Sequence, residues 1–230
     1  NVLRLHGVSE ADLALSKSPV LPVGAGDTPL IINIGTNSND SIQLFGLDHS
    51  QLLEQRPFDH ISFDDGSTLS YVDLMARGVD IVGTAAGESL NGTSIDDRLS
   101  GGAGDDFLVG GAGNDILTGG LGVDTLIYNV LTAGDATAGN GKDNWTDFET
   151  QDKIQFGAGF FTGLLASDLS DTAKVEKFIS VSNDANGNAV LKIDRDGDLA
   201  TYGKTDLLVL ENQEGLTLQQ LLDNNQSIIG

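Results

Sequence analysis

GGAGDDFLVGGAGNDILTGG, residues 101–120, repeats one nine-residue phrase with glycine and aspartate at fixed intervals. The same period extends over residues 83–127 in five consecutive copies, and position 8 of every copy is leucine. Position 6 is acidic in every copy, as Glu88, Asp97, Asp106, Asp115 and Asp124. A flexible acidic linker would not keep leucine at every ninth residue, so this period predicts a repeated structure.

Each position of the phrase has a physical reason. Glycine at positions 1, 2 and 4 allows positive φ and a tight turn whose carbonyl groups point inward. The last three positions form a short strand, with the leucine in a narrow core and positions 7 and 9 facing outward. One copy therefore makes a turn and a strand, and turns two copies apart stack on the same side. This arrangement is a parallel β-roll, a type of β-solenoid.

Stacked turns place hard oxygen ligands between them. Carbonyl groups from two turns and the carboxylates at position 6 are the ligands that Ca²⁺ takes at about 2.3–2.6 Å. The spacing pairs Asp106 with Asp124 on one side of the roll and Asp97 with Asp115 on the other. Glu88 can join Asp106, but its copy lacks glycine at positions 2 and 4, so we expect a weaker site there.

The composition favours cation binding. The 230 residues include 34 acidic and 12 basic side chains, which gives a formal net charge of −22. This charge repels nucleic acid and anionic membranes, and it opposes compaction unless cations neutralise it. The chain has no cysteine, which excludes disulfides and thiolate metal sites. Neither a membrane-spanning apolar run nor a secretory leader nor an initiator methionine is evident, so we expect a piece of a longer chain.

Degenerate copies lie outside the regular block. The stretch AGNGKDNWT, residues 138–146, keeps Gly141 and Asp143 in register after an insertion. Asp152 and Ile154 repeat the acidic and apolar positions once more. The roll is therefore expected to extend past residue 127.

Two other stretches leave their metal binding open. Residues 35–43 resemble a single isolated copy of the phrase. Residues 193–206 contain Asp194, Asp196 and Asp198, which match the first half of an EF-hand loop, but the later ligands are missing. An acidic hairpin turn between two strands is the favoured interpretation of this segment.

At these residues the sequence resembles the RTX (repeats-in-toxin) family of bacterial proteins exported by type I secretion. ISFDDGSTLSYVDLMARG, residues 61–78, looks like the segment that often precedes RTX repeats. The chain from Asp143 onward, with DNWTDF, DKIQF, LKIDRDGD and LTLQQLLDNNQSIIG, looks like the secretion-target region of very large RTX adhesins, which hold bacteria to surfaces or in biofilms. The resemblance covers residues 58–230.

The resemblance also implies a set of carbonyl ligands in the glycine turns. They carry over to Gly102, Gly104, Gly111, Gly113, Gly120 and Gly122. Together with the acidic residues at position 6, and with Gly141 and Asp143 of the degenerate copy, these residues form the predicted metal site. We expect several Ca²⁺ ions, roughly three to six.

The expected fold class is all-β dominated. A mixed α/β flank over residues 1–82 leads into a calcium-binding parallel β-roll over residues 83–156, and a β-rich cap with the type I secretion signal covers residues 157–230. Helices are expected in SEADLALS, HSQLLEQ, SYVDLMARG and TLQQLLDNN, which are residues 9–16, 49–55, 70–78 and 217–225.

The repeat predicts a calcium-dependent folding module, and the resemblance implies that it is the secretion-target region of an adhesin that is secreted or held at the cell surface. Ordering a backbone residue costs about 1–2 kcal/mol, which one buried leucine in nine residues does not offset. The repeats should therefore be disordered at cytosolic calcium levels and fold outside the cell. The expected partners are calcium ions and the type I secretion machinery, with no nucleic acid and no membrane insertion, and we expect a monomer.

Other classes of function stay open. One is the calcium-binding tail of a secreted RTX protease or lipase, whose catalytic part would precede Asn1. Another is a solenoid that binds ice or carbohydrate directly, which needs a regular outward row of Thr or Asn that positions 7 and 9 do not form. The apolar outward residues Phe107 and Ile116 predict that this face is covered, by the segment after residue 128.

Nothing in the sequence predicts catalysis. His6, His49 and His60 lie far apart and lack the spacing of a metalloprotease, and no nucleophile-elbow motif occurs. The chain is therefore predicted not to be an enzyme.

Overall fold

The computed structural model describes residues 1–18, 28–35, 40–197, 199, 201–224 and 227–229. The strands there are, in chain order, β1 (Val2–Arg4), β2 (Leu13–Lys17), β3 (Leu30–Ile34), β4 (Ser41–Leu44), β5 (His60–Ser62), β6 (Thr68–Ser70), β7 (Val79–Val82), β8 (Ser89–Thr93), β9 (Asp97–Ala103), β10 (Phe107–Gly111), β11 (Ile116–Leu121), β12 (Thr125–Tyr128), β13 (Asp143–Trp145), β14 (Lys153–Phe156), β15 (Ile179–Asn183), β16 (Ala189–Ile193), β17 (Thr205–Leu210) and β18 (Ser227–Ile229). The α-helices are α1 (Tyr71–Met75), α2 (Thr172–Phe178) and α3 (Leu218–Asp223). The predicted β-dominated fold class is confirmed.

Two parallel sheets form the body of the roll in this part of the chain. β8, β10, β12 and β14 lie side by side in one sheet, and β7, β9, β11 and β13 lie in the other. Consecutive strands alternate between the sheets because each nonapeptide supplies one turn and one strand. The leucines at position 8 align within each sheet, so that Leu108 lies between Leu90 and Leu126. All five are at most 2% exposed, which confirms the predicted core.

The roll continues past residue 127, as predicted. β13 pairs in parallel with β11, which brings Trp145 opposite Leu117, and β14 pairs in parallel with β12, which brings Ile154 opposite Leu126. Both Trp145 and Ile154 are buried. The register step between same-side copies grows from 18 to 28 residues at this point, because the loop after β12 is an insertion.

The roll also begins earlier than the regular copies. β7 pairs in parallel with β9 in the register of the repeat, with Ile81 opposite Leu99. β2 pairs in parallel with β7, and β3 and β4 continue that sheet as antiparallel strands. The N-terminal flank therefore extends one sheet of the roll, while β1, β5 and β6 form a small separate sheet.

Two of the predicted helices are wrong. Residues 9–16 form a 3₁₀ turn at Glu10–Asp12 and then β2, because pairing with β3 and β7 overrides the helical pattern. Residues 49–55 contain only the 3₁₀ turn His49–Gln51.

The other two predicted helices are confirmed as α1 and α3. Their N-caps are Ser70 and Thr217, whose side chains accept from backbone N–H groups of the first turn. The sequence interpretation missed α2, which begins after the N-cap Asp171. Across the described residues, no helix has the length and apolar character needed to span a membrane.

The C-terminal strands continue both sheets of the roll. β15, β16 and β17 are antiparallel to one another, and β17 pairs in parallel with β13. The predicted hairpin around residues 193–206 is thereby confirmed as the β16–β17 connection. β18 pairs in parallel with β14 in the other sheet. These pairings cover strand edges that would otherwise be open to other chains.

The outer face of the roll is not covered as predicted. Phe107 is 48% exposed and Ile116 is 46% exposed, so the segment after residue 128 does not pack over them. Within that segment, Asn140 donates through Nδ2 to the carbonyl oxygens of Asn129 and Thr137.

Candidate metal centre

The acidic side chains at position 6 lie in two stacks, one for each set of turns. Within a stack, Oδ1 of each aspartate accepts from the backbone N–H of the preceding acid. The distances are 2.8 Å from Glu88 to Asp106, 2.9 Å from Asp106 to Asp124, 3.0 Å from Asp124 to Asp152, 2.8 Å from Asp97 to Asp115 and 2.9 Å from Asp115 to Asp143. The structure therefore brings Asp106 next to Asp124 and Asp97 next to Asp115.

The inner turns of both stacks hold carboxylate oxygens that lack a donor. Oδ2 of Asp106, Asp115 and Asp124 is buried, and no described residue donates a hydrogen bond to it. In each case this oxygen lies within its own turn, so that a Cβ atom built on Gly119, for example, would be 2.3 Å from Oδ2 of Asp124. A buried carboxylate without a donor or a cation is strongly unfavourable. These three oxygens therefore fit a bound cation.

The outer acids at the N-terminal end are satisfied by the protein itself. Position 2 of the first two copies is threonine, and each threonine donates to the acid of its own turn. Asp97 Oδ2 accepts from the N–H (2.5 Å) and the hydroxyl (2.9 Å) of Thr93. Glu88 accepts from Thr84 through both oxygens, Oε2 from the N–H (2.6 Å) and Oε1 from the hydroxyl (2.8 Å).

The outer acids at the C-terminal end also have protein donors. Asp143 Oδ2 accepts from the hydroxyl of Tyr128 at 2.9 Å, and Asp152 Oδ2 accepts from the N–H of Glu149 at 2.7 Å. Asp147 contacts the turn that holds Asp124, since its two oxygens accept from the backbone N–H groups of Gly119 and Gly120. The turns at both ends of the roll are thus closed by hydrogen bonds.

Burial opposes the charged form of these carboxylates. It raises the pKa of Asp124 and of Asp97 to about 6, although the Thr93 hydrogen bonds to Asp97 act in the opposite direction. Burial also raises the pKa of Asp106, and for Asp115 the charge of Asp143 adds to the effect of burial. A cation between the turns would remove this penalty, because it stabilises the ionised carboxylates.

The stacking of turns itself requires glycine. Gly120 has φ +100°, and a Cβ atom there would lie 2.1 Å from the carbonyl oxygen of Gly102, two copies earlier. Gly122 has φ +137° and the same relation to the carbonyl oxygen of Gly104. Carbonyl oxygens of one turn therefore lie against the glycines of the next turn in the stack. All the glycines of the predicted site have positive φ, namely Gly102, Gly104, Gly111, Gly113, Gly120, Gly122 and Gly141.

A hydrogen-bonded ladder at position 5 was not predicted from the sequence. Oδ1 of Asp96 accepts from the N–H of Asn114, and Oδ1 of Asp105 accepts from the N–H of Val123. One coil further, Oδ1 of Asn114 accepts from the N–H of Lys142 in the same way. Asp or Asn at position 5 of copies two to four was the sequence pattern from which this ladder could have been predicted. The ladder shows that only part of the acidic side chains face the candidate metal sites.

Side chains alone do not complete a coordination shell. The residues that the structure describes contain no group of three or more His, Cys, Asp and Glu side chains arranged for a metal. His6 pairs with Asp64 at 2.6 Å, outside the roll. Backbone carbonyls must therefore supply much of any coordination. In the upstream copy, residues 36–39 lie outside the described residues, and the strands on either side of them, β3 and β4, are antiparallel.

Comparison with known families assigns the repeat. Residues 91–126 match the model of the RTX calcium-binding nonapeptide repeat, which holds four copies. This part of the chain therefore carries the RTX calcium-binding repeat. Among curated proteins, no relative matches this chain.

Several solved structures are similar to the chain. The AlgE6R3 subunit of the Azotobacter vinelandii mannuronan C5-epimerase is 29% identical over 57% of this chain and 69% of that one, with a TM-score of 0.39. The AlgE6R2 subunit of the same enzyme is 26% identical over 65% and 92%, with a TM-score of 0.39. The extracellular lipase LipA of Serratia marcescens is 13% identical over 100% of this chain and 32% of that one, with a TM-score of 0.32.

Proposed function

We propose that the roll is a calcium-dependent folding module in which three inner sites, at Asp106, Asp115 and Asp124, each take one Ca²⁺ ion. One observation carries this proposal: each of these carboxylates buries an oxygen for which the described residues offer no donor, whereas the outer acids have protein donors. The aspartates would hold the ions together with backbone carbonyls of the stacked turns, which are hard ligands suited to calcium.

The effect of calcium on folding follows from mass action. With a dissociation constant on the order of 10⁻⁴ M, each site at about 1 mM calcium stabilises the folded state by roughly 1.4 kcal/mol. At a cytosolic calcium level on the order of 0.1 μM the same site contributes almost nothing. The chain would therefore stay unfolded, and suited to passage through an export channel, until it reaches extracellular calcium.

We further propose that this module is the secretion-target region of a type I-secreted adhesin, with the export signal in residues 157–230. The contacts of the cap support this proposal. β17 lies on β13 and β18 lies on β14, so the C-terminal segment folds onto the last coils of the roll. Calcium-driven folding of the roll would then also fold the exported end and oppose backward sliding.

The outer face does not favour a solenoid that binds ice or carbohydrate. Ser89, Phe107, Thr125 and Lys153 lie in register on one sheet, and they differ in size, charge and polarity. The tail of a secreted enzyme would use the same calcium chemistry. If the parent protein is longer than this chain, a catalytic domain in its remaining part would favour that case over an adhesin.

A calcium titration of two neighbouring variants tests the sites. Asp106→Asn and Asp105→Asn each remove one negative charge from the same turn, but the Asp105 side chain can keep its hydrogen bond from Val123 as an amide. We expect Asp106→Asn to raise the calcium concentration at the folding midpoint about tenfold, and Asp105→Asn to change it little. Far-UV circular dichroism, with magnesium as the control ion, gives the readout. Equal shifts in the two variants would mean that only net charge matters.

An export assay tests the secretion role. The complete chain and a chain ending at residue 156 would be expressed with a type I export system and measured in the medium. Export of the complete chain and retention of the shortened chain are expected. Efficient export of the shortened chain would contradict a signal in residues 157–230.

A further inference from the structure

We propose that the loop after β16 binds one additional Ca²⁺ ion, held by the carboxylates of Asp194 and Asp196 and separate from the turns of the roll. The loop joins β16 to β17 in the cap. Asp198 follows in the sequence but lies outside the described residues, and it is not part of the proposed site.

Asp196 shows the same feature as the inner acids of the roll. Its side chain is 7% exposed, and Oδ1 is inaccessible to solvent and receives no hydrogen bond from the described residues. Oδ2 accepts from the N–H of Thr201 at 3.2 Å, which fixes the orientation of the carboxylate. The buried side chain of Asp196 therefore keeps one carboxylate oxygen for which the described residues offer no donor.

Asp194 supplies a second carboxylate beside the first. It is 8% exposed, and its Oδ1 accepts from the N–H of Asp196 at the long distance of 3.3 Å. Two buried acids of like charge side by side favour a divalent cation, because one ion stabilises both.

The neighbouring Arg195 does not form an ion pair with Asp194 or Asp196. Arg195 points away from the acids, and its guanidinium donates to the carbonyl oxygens of Phe160 (3.0 Å), Ala133 (2.9 Å) and Asp135 (2.8 Å). The Lys204 ammonium acts on Asp194 at a distance, but its Nζ donates to the carbonyl oxygen of Glu176 at 2.8 Å.

Calcium fits this loop better than magnesium does. Two carboxylates two residues apart, which leave the other ligands to carbonyl and water oxygens, suit the variable coordination of calcium, whereas magnesium demands near-ideal octahedral geometry. The site also has a structural consequence. Because Arg195 ties the loop to residues 133–135 and 160, an ion there would stabilise the attachment of the cap to the insertion of the roll.

Ion counting on the complete chain tests this proposal. Native mass spectrometry at about 1 mM calcium would compare the wild type, Asp196→Asn and a matched control, Asp184→Asn. Asp184 lies in the preceding hairpin turn of the same cap, where Asn186 and Asn188 donate to both of its oxygens. We expect Asp196→Asn to hold one Ca²⁺ ion fewer than the wild type, and Asp184→Asn to hold the same number. An unchanged count in Asp196→Asn, or an equal loss in both variants, would overturn the proposal.

Hydrogen exchange on the same samples distinguishes an effect on the cap from an effect on the roll. In calcium, Asp196→Asn should lose amide protection in residues 194–201 and 133–135, while the roll strands stay protected. If Asp196→Asn loses protection throughout, Asp194→Asn decides, because its amide oxygen can still accept from the N–H of Asp196. A loss of one ion in Asp194→Asn supports the site and an unchanged count rejects it. Failure of the roll sites would appear separately, in Asp106→Asn.

Discussion

The inner and outer turns of the roll use the same nonapeptide and satisfy its carboxylate in different ways. In the outer turns, Thr84 and Thr93 donate to the acid at the N-terminal end, and Tyr128 donates at the C-terminal end. The inner turns have glycine at position 2, and their acids keep a buried oxygen that no described residue satisfies. The ends of the roll are therefore closed by hydrogen bonds, while its middle leaves buried carboxylate oxygens for the proposed calcium ions.

Removal of calcium should have the largest effect on the inner turns. Chelation takes the cations from all the inner turns at once, so we expect the β-sheet signal of the roll to be lost and to return when calcium is added back. Far-UV circular dichroism measures the effect, and added magnesium serves as the control. A compact roll that persists after exhaustive chelation would show that hydrogen bonds suffice in the middle as well.

Gly120→Ala should have the next largest effect on the stability of the roll. The new methyl group would meet the carbonyl oxygen of Gly102 at 2.1 Å, at a φ of +100° that alanine rarely adopts. We expect a loss of about 2–5 kcal/mol in the free energy of unfolding in calcium. Urea denaturation measures it, with Gly134→Ala as the control, because a Cβ atom at Gly134 meets nothing within 4 Å. Similar losses in both variants would argue against close stacking of the turns.

Thr93→Gly should make an outer turn more like an inner one, although the backbone N–H of residue 93 can still donate to Asp97. Asp97 would lose the hydroxyl donor, and we expect the roll to lose about 1–3 kcal/mol of stability and to depend more steeply on calcium. Thr93→Ser keeps the hydroxyl and is the matched control. The slope of the calcium titration provides the measurement, and an unchanged slope in Thr93→Gly would mean that threonine does not stand in for a cation.

Tyr128→Phe should have the smallest effect of this series. It removes the hydroxyl that donates to the buried Oδ2 of Asp143 at 2.9 Å and leaves the ring packing against Phe156 and Phe160 in place. We expect a loss of about 1–2 kcal/mol, measured by thermal or urea unfolding in calcium. A neutral result would indicate that Asp143 finds another donor or a cation.

Much of the roll could be predicted from the sequence because its period is enforced at every copy. Leucine at position 8 fixed the core, and the register of Trp145 and Ile154 predicted the coils beyond the insertion. The same argument could have predicted β7, the first strand of the roll, since Ile81 lies nine residues before Leu90 and occupies the same core position.

The flank was predicted less well because its strands depend on distant partners. Residues 13–17 read as part of a helix, yet they pair with β3 and with β7, the latter far along the chain. Local pattern does not report such pairing, since strand formation there depends on the sheet edge that the roll offers.

The repeat, its two-sided stacking and the acids that face the turns can all be predicted from the sequence, because a fixed period places equivalent residues at equivalent positions. Which of those acids lack a donor depends on the three-dimensional packing. That outcome depends on side chains brought in from elsewhere, such as the Tyr128 hydroxyl beside Asp143, and on threonine hydroxyls whose direction a repeat pattern does not specify. The tertiary structure likewise revealed the buried pair Asp194 and Asp196, whose burial arises from the packing of the cap rather than from any period.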